Sequence, residues 1–276
     1  MESQGPIKID LSAVLKQRLG AKSWLIPSFA VRKLERLICQ EQMNDILQKT
    51  YPKRGADFCD AVLDYLGVTV DVDNADLLPP SPRVIIVSNH PLGGLDGICL
   101  LSVLSKHYGQ PVKCVVNDLL SAVEPLSDCF IPINKHGSQN RKAVKALDEA
   151  FAADGPVVVF PAGLVSRLGT DGKVADLQWN KMFVSKAIET GRPVVPVFFN
   201  GKNSPGFYSA ARRRVKLGLK FNYEMILLPR EIFRNVNSRF VVSVGRAIDP
   251  SRLKGGKDAS ASAAFVRNLV YQLSQK

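Results

Sequence analysis

Short apolar runs that alternate with helical periodicity are the feature that most constrains the fold of this chain. Four runs rich in β-branched residues are flanked by proline or glycine, as buried strands are. Strands are predicted at 84–87, 112–116, 157–160 and 194–199, with helices between them at 96–107, 140–153 and 176–190. This alternation predicts an α/β fold with a central, largely parallel (mixed) sheet flanked by helices. A further strand at 240–244 and a closing helix at 261–273 are expected after it.

The N-terminal residues have a different pattern. Residues 1–55 are predicted to be a helical segment and residues 56–276 the main domain, which opens with a helix at 58–66. Ser28 is the expected N-cap of a helix in the N-terminal segment. Bulky apolar residues near the start of this helix lie among basic ones: Trp24, Leu25, Ile26 and Phe29 beside Lys22, Arg32, Lys33 and Arg36. Such a basic amphipathic segment is typical of a membrane-associating helix and equally of a helix packed on a main domain, so both interpretations stay open.

The excess of basic residues favours an anionic partner. The chain has 37 Lys and Arg against 25 Asp and Glu, a formal charge of +12, which suits nucleic acid, an anionic membrane or an acidic carrier protein. Its five cysteines lack metal-ligand spacing, and we interpret them as reduced thiols in the cytoplasm. The N-terminus lacks a secretory-signal pattern, and no apolar run approaches about 20 residues. Any membrane contact is therefore expected to be peripheral, on the inner face of the cytoplasmic membrane.

The segment SNHPLGGLD at 88–96 holds the main candidates for chemistry. It connects a predicted strand to a predicted helix, and His90 is one of only three histidines in the chain. A neutral imidazole there can take a proton from a hydroxyl, and Asp96 is the candidate that orients it. Gly93 and Gly94 would let the backbone fold back between them. An arbitrary His and Asp at this spacing more often form a local hydrogen bond and a helix cap.

The pattern Asn-His-x4-Asp after an apolar strand resembles the first sequence block of the glycerolipid acyltransferases related to 1-acylglycerol-3-phosphate acyltransferase. Three later segments are similar to further blocks of that family, in the same order. They are FIPINK at 130–135, FPAGLVSR at 160–167 and VPVFFNG at 195–201. The four blocks cover about residues 83–201, and the ordered set is far more specific than the first block alone. The resemblance implies an acyltransferase that acts on lipids.

The same resemblance implies roles for individual residues. His90 would act as general base and Asp96 would hold it, while an acceptor hydroxyl attacks the thioester of acyl carrier protein or acyl-CoA; no metal or cofactor is implied. Backbone amides near Gly163 are expected to stabilise the oxyanion. Substrate-binding positions are implied at Asn89, Lys135, Gly163, Ser166 and Arg167.

Departures from the family pattern concern the acceptor. The third block usually reads Phe-Pro-Glu-Gly-Thr-Arg-Ser, whereas this chain has Ala162, Leu164 and Val165 in place of Glu, Thr and Arg. Lys135 replaces the usual Arg of the second block, and lysine lacks the bidentate fork that suits phosphate. Arg167 remains to reach an anionic head group. The sequence is similar to the hemolysin-like branch, which includes O-acyltransferases of ornithine and glycine lipids, and this implies a monoacyl aminolipid, an N-(3-hydroxyacyl) amino acid, as acceptor.

Three other functions compete with this hypothesis. A 1-acylglycerol-3-phosphate (lysophospholipid) acyltransferase would use the same blocks. A non-enzymatic basic membrane- or nucleic-acid-binding protein fits the charge, but no nucleic-acid partner is expected because no such module is visible and aromatic residues are only 8%. A hydrolase or a catalytically silent relative is the third, although Ser166 lacks the closing glycine of a nucleophile elbow. The basic cluster 212–216 with Lys220 is either a docking face for lipid or carrier protein or a solvated helix surface.

Overall fold

The computed structural model describes residues 5–20, 24, 26–117, 123–133 and 141–275. Within these ranges, seven strands form one sheet and two short strands form a separate ribbon. The strands are β1 (Thr69–Asp73), β2 (Ile85–Ser88), β3 (Lys113–Asn117), β4 (Phe130–Ile133), β5 (Val157–Val159), β6 (Arg167–Leu168), β7 (Val174–Ala175), β8 (Val194–Asn200) and β9 (Arg239–Val244). The helices are α1 (Leu11–Leu19), α2 (Ser28–Leu37), α3 (Gln40–Thr50), α4 (Gly55–Leu66), α5 (Leu95–Tyr108), α6 (Arg141–Ala152), α7 (Met182–Thr190), α8 (Pro205–Lys216), α9 (Leu228–Arg234) and α10 (Ala259–Gln272).

The large sheet is mixed but largely parallel, which confirms the predicted fold class. Its strand order is β1-β9-β8-β2-β5-β3-β4. Neighbouring strands from β8 to β4 run parallel. Strand β9 pairs with β8 in antiparallel orientation and with β1 in parallel orientation. Because β2 lies between β8 and β5, its carboxyl end is in the middle of the sheet edge from which the loops after the parallel strands emerge.

Helices cover both faces of the sheet, and alternate residues of β2 enter two different cores. Ile86 packs with apolar residues of α4 and α5 on one face. Ile85 and Val87 pack with residues of α6, α7 and α10 on the other. A strand buried on both faces must be apolar at every position, which explains the continuous valine and isoleucine runs in the sequence.

Three predictions of secondary structure need correction. The helix expected at 176–190 begins only at Met182. The residues before it form a loop, in which the buried side chains of Asp176 and Trp179 are hydrogen-bonded to each other. Ser28 is not the N-cap of α2; that position belongs to Pro27, which makes no side-chain cap. Strands β1 and β4 were not predicted as strands, and β4 lies at an edge of the sheet, where a proline is tolerated.

Helices α1, α2 and α3 form the helical N-terminal segment that the sequence predicts. Helix α2 buries none of its residues, and the side chains of Trp24 and Phe29 are 79% and 69% exposed. Helix α3 contributes Ile46 to the core. Among the helices of the described ranges, none combines the length and the apolar content that crossing a membrane requires. The main domain's first helix, α4, begins at Gly55, and the division at 55/56 stays a prediction.

Candidate active site

The corner between β2 and α5 is shaped by one glycine. Gly93 has φ +79°, in the left-handed region that residues with a Cβ rarely adopt. A Cβ at this position would lie 2.4 Å from Cγ2 of Val165 and 2.9 Å from Cδ1 of Leu228. Gly94 has φ −170°, which is ordinary extended backbone. The predicted need for a glycine in the corner therefore applies to Gly93.

This corner brings His90 and Asp96 together. Nδ1 of His90 lies 3.0 Å from Oδ2 of Asp96, whose side chain is fully buried. The same Oδ2 accepts hydrogen bonds from the backbone amides of Leu92 (2.9 Å) and Gly93 (3.3 Å), and Oδ1 accepts one from Gly97 (2.9 Å). The carboxylate is thus held by four donors before any substrate arrives.

The surroundings of Asp96 favour its ionised form. Burial on its own raises the pKa of Asp96, but the charge and hydrogen bond of His90 and the amides of Leu92 and Gly93 outweigh it, so that the pKa lies below its usual value. An anionic Asp96 accepts a hydrogen bond from Nδ1–H of His90. The neutral imidazole then has its lone pair on Nε2, the form that a general base requires.

An aromatic ring fixes the plane of the imidazole. The rings of His90 and Phe160 have centroids 4.1 Å apart and an interplanar angle of 30°. Phe160 follows β5, the parallel neighbour of β2, so the third sequence block supplies one wall of the site. The His90 side chain is 13% exposed. The imidazole of His90 is therefore held in place by its neighbours and is still reachable by a substrate.

The side chain of Asn89 is hydrogen-bonded to the main chain of β8. Its Nδ2 donates to the carbonyl of Phe199 (2.9 Å), and its Oδ1 accepts from the amide of Phe199 (2.7 Å). Asn89 is 3% exposed, and its amide continues the pairing between β2 and β8 where the β2 backbone turns away. This side chain therefore helps to position His90, which follows it, and substrate contact by Asn89 stays a prediction.

A buried carboxylate that sequence reasoning missed, Asp176, ties the His90 corner to the third block. Oδ1 of Asp176 accepts from the backbone amide of His90 (3.2 Å) and from Oγ of Ser166 (2.5 Å), and its Oδ2 accepts from Nε1 of Trp179 (2.8 Å). Burial raises the pKa of Asp176, and the hydrogen bonds from Ser166, Trp179 and His90 offset this only in part. The sequence offered one signal, an Asp and a Trp three residues apart, but it suited a helix equally.

Ser166 is a structural residue of this loop. Its backbone amide donates to the carbonyl of His90 (2.8 Å), its hydroxyl donates to Asp176, and it is 1% exposed. The Ser166 hydroxyl is thus engaged inside the loop, and a substrate-binding role of Ser166 stays a prediction.

The turn at Gly163 limits the predicted oxyanion site. The amide of Gly163 donates to the carbonyl of Phe160 (2.9 Å), and Gly163 has φ +59°. That amide is therefore engaged within its own turn. An oxyanion donor from this loop would have to be another of its amides.

Arg167 belongs to a buried ionic cluster. Its Nη2 lies 2.9 Å from Oε1 of Glu224, and Nε of Arg214 lies 3.1 Å from the same carboxylate, which is fully buried. Burial lowers the pKa of Arg167, and Glu224 counteracts this. Among the described residues, no acceptor bonds the buried Nη1 of Arg167. Two arginines and one glutamate give the cluster a net charge of +1. It lies beside the His90 corner because Arg167 directly follows Ser166.

Lys135 lies outside the described residues.

Comparison with known proteins identifies the family. A sequence model of the family described as "Acyltransferase" matches residues 13–276. The chain is a member of this acyltransferase family. The resemblance read from the four sequence blocks is thereby confirmed, and so is the prediction of an enzyme that transfers acyl groups.

Two curated relatives match this acyltransferase over nearly its full length. A lyso-glycine lipid O-acyltransferase of Phocaeicola vulgatus is 40% identical over 265 residues, 96% of this chain and 95% of that protein. A lyso-glycine lipid O-acyltransferase of Bacteroides thetaiotaomicron is 38% identical over 265 residues, 96% of this chain and 97% of that protein. Among solved structures, the 1-acyl-sn-glycerophosphate acyltransferase PlsC of Thermotoga maritima is 16% identical, with a TM-score of 0.45, and the match covers 96% of this chain and 99% of that one.

Proposed function

We propose that this acyltransferase moves a fatty acyl group onto the hydroxyl of a lyso-glycine lipid, an N-(3-hydroxyacyl)glycine. The observation that carries the proposal is the identity of 40% and 38%, over 96% of the chain, to two proteins of that activity. It agrees with the altered third block, which lacks the residues typical of enzymes that handle phosphate-bearing acceptors.

In this proposal His90 is the general base. Its Nε2 takes the proton of the acceptor hydroxyl as that oxygen attacks the thioester carbonyl of the donor. A C–O bond forms, the C–S bond breaks, and the released thiolate takes this proton from the imidazolium. Asp96, 3.0 Å from Nδ1 and held by three backbone amides, stabilises the imidazolium without moving.

The carboxylate of the acceptor is assigned to Arg167. The cluster of Arg167, Arg214 and Glu224 carries one net positive charge, and Nη1 of Arg167 has no partner within the described ranges. A carboxylate carries one negative charge, whereas a phosphate monoester carries nearly two at neutral pH. One unmatched cation therefore suits a glycine carboxylate better than a lysophosphatidic acid head group.

An acceptor panel tests the substrate. Purified protein is given one acyl thioester and N-(3-hydroxypalmitoyl)glycine, its ornithine analogue or lysophosphatidic acid, and products are identified by mass. We expect the glycine acceptor to have the highest kcat/KM. Efficient acylation of lysophosphatidic acid with no turnover of either aminolipid would refute the proposal. Acyl carrier protein and CoA thioesters are compared in the same assay, with the acidic carrier preferred because the enzyme is basic.

A pair of variants tests the role of Arg167. Arg167→Met removes the proposed carboxylate partner and also lowers the net charge of the cluster from +1 to 0. Arg167→Met with Glu224→Gln serves as the matched variant because it returns the net charge to +1 without Arg167. Both are expected to raise the KM for the glycine acceptor at least tenfold while kcat changes less. An unchanged KM in the double variant, with the fold intact by circular dichroism, would remove Arg167 from acceptor binding.

We place this reaction at the inner surface of the cytoplasmic membrane, with the N-terminal segment in contact with lipid. The exposure of Trp24 and Phe29 and the basic side chains of α2 support this placement. Trp24→Ser with Phe29→Ser is expected to reduce co-sedimentation with phosphatidylglycerol vesicles. Unchanged binding would contradict a membrane role of this segment.

A further inference from the structure

The C-terminal end of α8 and the turn after it, residues 212–221, expose an unusual set of apolar side chains. Val215, Leu217, Leu219 and Phe221 are 65%, 63%, 46% and 71% exposed. Single exposed apolar residues are common on soluble proteins, but four within seven positions form a patch that marks an interaction site. We call residues 212–221 the α8 tip.

The α8 tip is a folded turn that holds these side chains in water. The amide of Leu217 donates to the carbonyl of Arg213 (3.0 Å), that of Gly218 to Val215 (3.0 Å) and that of Leu219 to Arg214 (3.1 Å). Gly218 has φ +65°, the left-handed value of a helix C-terminal turn. The exposure of the apolar residues is therefore built into the backbone and does not result from a loose loop.

The charges around the patch have one sign. Residues 202–223 contain six Lys or Arg and no Asp or Glu. Arg212 donates to the carbonyl of Gly169, and Arg214 pairs with buried Glu224. Among the described residues, no carboxylate pairs with the exposed side chains of Arg213, Lys216 or Lys220. Apolar side chains among unpaired cations are the composition of a segment that enters an anionic lipid surface.

The position of the α8 tip fits such a contact. Helix α8 starts two residues after Asn203, whose Nδ2 donates to the carbonyl of Pro91 in the His90 corner (3.1 Å). The 12 residues of α8 span about 18 Å at 1.5 Å per residue. Arg214 of the tip also shares Glu224 with Arg167. The tip is thus rigidly linked to the corner and lies within about one helix length of it.

We propose that the α8 tip is a lipid-binding surface, in which Val215, Leu217, Leu219 and Phe221 enter the bilayer and the cations contact anionic head groups. This contact is separate from the N-terminal segment and goes beyond the acyl-transfer reaction. An acidic carrier protein would pair with the cations but would leave the four exposed apolar side chains without an apolar counterpart, whereas a lipid surface offers both anionic head groups and acyl chains.

An environment-sensitive label tests insertion directly. The five native cysteines are buried, so a cysteine introduced as Phe221→Cys can be labelled selectively with a nitrobenzoxadiazole dye. Phe265→Cys, on α10, is the matched control, since Phe265 is 43% exposed. On phosphatidylglycerol vesicles the dye at 221 should shift to the blue and be quenched by nitroxide-labelled lipid, while the dye at 265 stays water-like. A dye at 221 that stays water-like on sedimenting vesicles, or that responds only to acyl carrier protein, would overturn the proposal.

A second measurement separates this proposal from the acyl-transfer function. Phe221→Ser is expected to lower the partition coefficient onto phosphatidylglycerol vesicles roughly tenfold, as loss of one inserted aromatic side chain implies. Turnover of an acceptor dispersed in detergent should be unchanged, and the melting temperature should be retained because the side chain is exposed. Unaltered partitioning, with the variant folded, would contradict insertion whatever the acceptor of the enzyme is.

Discussion

The His90–Asp96 pair makes a quantitative prediction for Asp96→Asn. The substitution keeps the shape of the side chain, and the amide oxygen can still accept from Nδ1 of His90, so the imidazole keeps its tautomer. What is lost is the negative charge 3.0 Å from the ring nitrogen. Activity is therefore expected to fall because the imidazolium formed in the transition state loses its counter-charge, while the position of the base is retained.

The size of this loss can be estimated from the geometry. Two unit charges about 4 Å apart interact by about 4 kcal/mol at an effective dielectric constant of about 20. The dipole of the asparagine amide recovers part of this energy. At about 1.4 kcal/mol for each factor of ten, kcat is expected to fall roughly 10²- to 10³-fold. With the amide oxygen in the place of Oδ2, the new NH2 group would face the backbone amide of Gly97, which destabilises the fold by about 1–3 kcal/mol.

Acyl transfer to N-(3-hydroxypalmitoyl)glycine, followed by mass spectrometry, measures the effect, and urea denaturation shows whether the variant is folded. Asp249→Asn is the matched control, because Asp249 is an exposed helix-capping carboxylate far along the chain from the corner. His90→Ala should abolish turnover, and Asp96→Asn added to it should reduce activity little further, since the pair acts as one unit. Asp96→Asn with a kcat within tenfold of wild type would refute the reasoning.

Three further predictions concern the frame of the site. Gly93→Ala is expected to lose acyl transfer and about 1–3 kcal/mol of stability because its Cβ would collide with Val165, whereas Gly94→Ala, with only a 3.8 Å contact, should be tolerated in both assays. Arg192→Met should lower the free energy of unfolding in urea by about 3–5 kcal/mol, since fully buried Arg192 donates to four main-chain carbonyls; equal stability would contradict this. The folded-state pKa of Asp96 is lowered, so the stability that its ionised carboxylate contributes should be complete above pH about 5 and disappear as pH falls through that pKa. The difference in free energy of unfolding between wild type and Asp96→Asn should therefore shrink as the pH is lowered in an acid titration.

The sequence located the chemistry better than it located the supporting residues. The corner at 88–96 could be found because a strand, a scarce histidine and an aspartate lie within nine positions. Asp176 could not, because it bonds His90 across 86 positions of sequence and its local pattern suited a helix. The hydrogen bonds of Asn89 could not be predicted for the same reason, since its partner Phe199 lies 110 positions away.

The sequence by itself determined the α/β class and the acyltransferase family, because strand periodicity and ordered blocks are properties of neighbouring residues. Only the tertiary structure decided that Asn89 bonds Phe199, that Ser166 bonds Asp176 and His90, and that Arg167 shares Glu224 with Arg214. The physical reason is that the role of a buried polar side chain depends on which donor or acceptor lies within about 3 Å of it. The packing of segments that are distant in sequence selects that partner.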